Sequence, residues 1–128
     1  MTKPLSGQVA LITGASRGLG AATAVALAEQ GAHVVLIGRT VGGLEETDDK
    51  VRAVGGEAVL MPVDLSEPAK LVSLGPVLFE RFGRLDIWVA NAAELGQLSA
   101  LPHADPKGWD RVLAVNLKIG RASCRERV

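Results

Sequence analysis

An open, doubly wound α/β sheet with parallel strands is the fold class this sequence predicts, and three observations predict it. Short apolar runs alternate with longer helical patterns along the 128 residues. The apolar runs are continuous rather than alternating, as expected of parallel strands buried on both faces. A glycine-rich turn separates the first run from the first helical stretch, and the next apolar run closes a strand–helix–strand unit within about 30 residues.

The first strand is predicted at Val9–Ile12, followed by the turn punctuated by Gly14, Gly18 and Gly20. Leu19 to Gln30 then has strong helix formers and stops at Gly31, a good residue just past a helix end. Ala32–Ile37 is the second strand. In the following stretch Val41, Leu44, Thr47/Asp48, Val51 and Val54 keep a mostly helical period until Gly55-Gly56. Glu57–Val63 reads as the third strand, closed by Asp64. Ser66 suits an N-cap with Pro68 in the first turn, giving a third helix to Phe82 with Gly83 as terminator. Pro76 after Gly75 predicts a kink inside it. Leu85–Ala90 is the fourth strand, and Asp105-Pro106 opens a fourth helix through Trp109, Val112, Leu113, Asn116 and Leu117. Trp88, Leu71, Leu74, Leu78 and Phe82 are assigned to the core.

Composition excludes several classes. Fourteen basic and fourteen acidic residues balance, so no charge excess points to nucleic acid or an anionic membrane as partner. The N-terminus lacks the apolar segment of a leader, and no run is long enough to span a bilayer, so a cytoplasmic protein is expected. One cysteine, Cys124, allows no internal disulfide, and His33 and His103 lack nearby metal-binding partners. No metal is expected.

The turn carries the chemistry. The first turn of a helix has N–H groups without intrahelical partners and the positive end of the dipole, which suits a pyrophosphate. Glycines also make ordinary turns, but here the turn sits between a buried strand and a helix. Arg17 lies in it, and Arg39 follows Gly38 at the end of the second strand, where an NAD-binding protein would have a carboxylate for the ribose hydroxyls. Two guanidinium groups there would hold a ribose 2′-phosphate through charge-assisted bonds.

The stretch Thr13-Gly14-Ala15-Ser16-Arg17-Gly18-Leu19-Gly20 resembles the TGxxxGxG motif of the short-chain dehydrogenase/reductase family. The resemblance implies a Rossmann-type sheet with strand order 3-2-1-4, ending here after the fourth strand and fourth helix, and NADP(H) as preferred cofactor with NAD(H) possible. It implies cofactor contacts at Thr13, Gly14, Ser16, Arg17, Gly18, Leu19, Gly20 and Arg39. Asp64, with Leu65, matches the residue that binds the adenine ring. Asn91, with Ala92 and Ala93, matches the family's NAG motif, Ala93 standing where the family has glycine. Asn116 matches the active-site Asn that holds a water in a proton relay. The parent would be a homo-oligomer acting on a small alcohol or ketone.

The family's acid/base is a tyrosine followed four residues later by a lysine, and this sequence contains no tyrosine. The resemblance therefore covers the N-terminal half of the fold, residues 1–118, and the chain alone is expected to be inactive. Residues 119–128, IGRASCRERV, abandon the apolar pattern, and one back-translation resembles a widely used sequencing adapter read in frame. We expect this tail to be non-native. It holds three of the basic and one of the acidic residues, which leaves a body of eleven against thirteen, net −2. A non-catalytic nucleotide-binding or regulatory module is the alternative. An epimerase-type relative would need a G-x-x-G-x-x-G spacing that these glycines do not meet.

Overall fold

The computed structural model describes residues 3–64, 68–92, 100 and 105–113. Within them the chain alternates strictly between strand and helix: β1 (Val9–Thr13), α1 (Gly18–Glu29), β2 (His33–Gly38), α2 (Val41–Ala53), β3 (Ala58–Pro62), α3 (Pro68–Phe82), β4 (Ile87–Val89) and α4 (Pro106–Leu113). The four strands form one parallel sheet in the order β3-β2-β1-β4. This is the predicted architecture.

The continuous apolar runs are buried on both faces because successive side chains point to opposite sides of the sheet. Ala10, Ile12, Val34 and Leu36 pack with Ala24 and Ala28 of α1 and Leu44 and Val51 of α2. Val9, Leu11, Val35 and Ile37 pack with Leu78 of α3 on the other side. Leu78 is buried as predicted, and Trp88 and Phe82 are half-buried against that second cluster. The side chains of Leu71 and Leu74 lie outside the described part of the molecule.

The helix stops work as their glycines predict. Gly31 (φ +101°) donates its N–H to Ala28 O, and Ala32 donates to Leu27 O. Gly55 (φ +82°) and Gly56 repeat that pair of bonds onto Arg52 O and Val51 O. Both ends thus satisfy their last carbonyls through a left-handed residue. Asp105 caps α4, its Oδ1 accepting the Lys107 N–H at 3.1 Å.

Beyond shifts of one residue at element ends, two details differ from the sequence reading. β4 is shorter than Leu85–Ala90, because Asp86 leaves the ladder. Its carboxylate accepts the Val9 N–H at 2.9 Å and a pair of bonds from Arg84 at 2.6 and 2.7 Å. α3 is a single helix ending at Phe82 with Pro76 inside it, as predicted, and the N-cap assigned to Ser66 lies outside the described residues. Val41 begins α2 half-exposed, so the apolar stripe starts at Leu44 instead.

Candidate functional site

The carboxyl ends of β1, β2 and β3 and the segment after β4 surround a cavity of about 650 Å³, lined among others by Gly14, Ser16, Arg17, Gly18, Leu19, Gly38, Arg39, Val63, Asp64, Asn91 and Ala92. Parallel sheets place ligands at this end, and where β4 departs from β1 in the opposite direction to β2 a crevice opens. Most of the described residues that the sequence singled out thus line one cavity, whereas Thr13 and Gly20 do not.

The loop between β1 and α1 is fixed from three sides. Ala15 donates its N–H to Ile37 O at 3.1 Å, which ties the loop to the end of β2. The buried Thr47 hydroxyl of α2 donates to Ala15 O at 2.7 Å. Asn91 Nδ2 donates to Gly14 O at 3.3 Å. Thr13, fully buried, binds the chain after β4: its hydroxyl donates to Val89 O and accepts the N–H groups of Asn91 and Ala92 at 2.9 and 3.0 Å. Thr13, expected as a cofactor contact, instead lies buried outside the cavity lining, where its hydroxyl holds β1 to the end of β4 and the chain after it.

Glycine is required for specific reasons. Gly14 (φ +63°) would place a Cβ 2.9 Å from Ala92 Cα, so the two loops could not lie together with any other residue there. A Cβ on Gly20 would overlap the Gly14 carbonyl oxygen and stand 2.6 Å from Asn91 Nδ2. This close seating brings the first turn of α1 to the cavity. Arg17 is the N-cap residue of α1 in extended backbone geometry, with no side-chain cap bond and no acidic residue in the first turn. The donors of that turn are left for an anion. A cradle that a Cβ would fill, open donors at a helix start and two cationic side chains fit a dinucleotide pyrophosphate and ribose.

Among the described residues, neither Arg17 nor Arg39 makes a side-chain hydrogen bond or ion pair, and both are exposed at the cavity. Ser16 packs its Cβ where a side chain on Gly43 would be, 2.7 Å from that position. Leu19 is 75% exposed at the rim and offers apolar area to a bound molecule. Asp64 faces the cavity, and its Oδ2 lies 3.8 Å from Arg111 Nη2 of α4. Leu65, Ala93 and Asn116 lie outside the described residues.

Sequence reasoning missed the contribution of α2. Thr40, Gly43 and Glu46 line the same cavity, and Thr47 holds the loop. Two signals were present: a threonine in line with the apolar stripe of Leu44 and Val51, and the helix-weakening pair Gly42-Gly43 in the first turn.

The sequence profile of the short chain dehydrogenase family matches residues 8–123. Cyclohexanol dehydrogenase of Acinetobacter sp. (strain SE19) is 33% identical over 117 residues, which are 91% of this chain and 47% of that protein. A metagenomic short-chain oxidoreductase solved in complex with NADP superposes with a TM-score of 0.90 at 40% identity, over 94% of this chain and 55% of the other. NAD+-bound xylitol dehydrogenase gives 0.85 at 28% identity, over 96% and 47%. The chain thus spans about half the length of these relatives. With the parallel sheet, the glycine cradle and the family match over most of its residues, the chain belongs to the short-chain dehydrogenase family.

Proposed function

We propose that this chain is the cofactor-binding half of a short-chain oxidoreductase that prefers NADP(H), and that its parent moves a hydride between the nicotinamide and an alcohol or ketone carbon. The observation that carries this reading is the pair of unpaired guanidinium groups, Arg17 and Arg39, lining the cavity onto which α1 opens. At Gly38 there is no carboxylate to accept ribose hydroxyls, whereas a 2′-phosphate would meet two cations in planar, bidentate-capable form. A hydrogen bond to a charged group contributes about 1.5–3 kcal/mol, so even one such bond exceeds a tenfold preference. NAD(H) would bind through the same turn, more weakly.

The protein's part in such chemistry is to orient the cofactor and exclude competing reactions, while the hydride comes from the cofactor itself. This chain holds no tyrosine to act as acid/base, which favours a second reading of the isolated chain as a binding module without turnover. Titration with NADPH and with NADH, followed by nicotinamide fluorescence, tests the first reading. We expect NADPH to bind at least about tenfold more tightly. Tighter NADH overturns the preference, and binding of neither overturns the cofactor-binding assignment. Oxidation of NADPH by the chain with any simple ketone would overturn the module reading.

A further inference from the structure

The outward part of α2 presents a negative charge to the site that its two arginines make positive. Gly43, Glu46 and Thr47 are spaced at i, i+3 and i+4, so they share one helix face. Two of them demonstrably meet the loop after β1: Gly43 lies against Ser16, and Thr47 bonds Ala15 O. Glu46, on that face, lines the same cavity as Ser16, Arg17, Gly38 and Arg39. It is exposed, and among the described residues its carboxylate has no hydrogen bond or ion pair. The other carboxylate at the cavity, Asp64, is paired with Arg111.

We infer that Glu46 is a specificity-determining residue that opposes Arg17 and Arg39 in the choice between phosphorylated and unphosphorylated ribose. The inference rests on the cofactor assignment above. A carboxylate accepts hydrogen bonds from ribose hydroxyls and repels a phosphate. The acceptor that Gly38 cannot supply from β2 is thus supplied from α2, at the expense of phosphate affinity. Glu45, the neighbouring residue, carries the same charge but does not line the cavity, so it separates a local effect from the net charge of the chain.

The test uses the full chain with Glu46→Gln and, as control, Glu45→Gln, titrated calorimetrically with adenosine 2′,5′-bisphosphate and with AMP. Glu46→Gln is expected to raise the affinity ratio of bisphosphate to AMP by about three- to tenfold, and Glu45→Gln to leave it within about twofold, because screening weakens a charge that does not face the ligand. A ratio that Glu46→Gln leaves unchanged or lowers, or that Glu45→Gln raises equally, overturns the inference. If the unmodified chain does not prefer the bisphosphate, the NADP assignment falls and this inference with it. A preference that is present but indifferent to Glu46→Gln removes the inference alone.

Discussion

At Gly20 two effects of a single methyl group oppose each other. Inside an exposed helix, replacing glycine by alanine gains about 1 kcal/mol from backbone entropy. Here the added Cβ would overlap the Gly14 carbonyl oxygen and press on Asn91 Nδ2 at 2.6 Å, while Asn91 already donates to that same oxygen. Both neighbours are held by other bonds, so neither can give cheaply. Overpacking of a fixed site costs about 1–3 kcal/mol, which outweighs the propensity gain. Gly20→Ala is therefore expected to lower the urea midpoint and to weaken NADPH binding; a variant more stable than the parent would refute the close-seating account. At Gly18 (φ +60°) no atom stands within 4 Å of a built Cβ, so alanine there meets only the left-handed backbone penalty of about 1–2 kcal/mol. The sequence distinguished none of this: the three glycines read alike until their surroundings were known. The supporting roles of Thr13 and Thr47 were equally hidden, since the carbonyls their hydroxyls bond, Val89 O and Ala15 O, lie 76 and 32 residues away in sequence.

At the scale of elements, β4 is fastened to β1 by a clasp rather than by the ladder alone. Arg84 forms two bonds to the Asp86 carboxylate, which also accepts the Val9 N–H. The hydrogen bonds from Arg84, then that from the Val9 backbone, hold the Asp86 carboxyl below its ordinary value. A carboxyl with a depressed folded-state pKa stabilises the fold fully above the ordinary carboxylate value of about 3.9, and this contribution is lost as pH falls through the lower folded value. Melting temperatures of the unmodified chain and Asp86→Asn should therefore differ most at neutral pH and converge below about pH 4. A gap that stays constant with pH would show that the carboxylate's charge has no part in the clasp. This also explains what could and could not be read in advance. The strands, their order and the glycine stops were legible because burial on two faces demands unbroken apolar runs and because left-handed helix ends demand glycine. The end of β4 was not, because LDIWVA looks like one run while Asp86 spends its carboxylate on Val9 of another strand.

For the whole molecule, the sheet has two edges of different character. On one side β3 carries Pro62, which has no N–H to offer a further strand. On the other, β4 pairs with β1 alone among the described residues, and Ile87, Trp88 and Val89 are only half-buried. Such an edge sets apolar side chains beside backbone that no further described strand pairs, without lysine, proline or bulge within its three residues to discourage pairing. Further apolar area stands exposed on the helices, with Phe79 at 68% and Trp109 at 57%. Opposing this is charge repulsion between copies, and the formal net charge is zero, so repulsion is weak and does not protect the edge. Strand pairing and apolar burial should win, and the chain is expected to self-associate as its concentration rises. Light scattering across a concentration series would show growing mass, and Phe79→Lys, which removes apolar area from a side chain 68% exposed, should reduce it. A monodisperse monomer at every concentration would mean that the β4 edge is covered, and the charge balance would then have to be reconsidered as sufficient on its own.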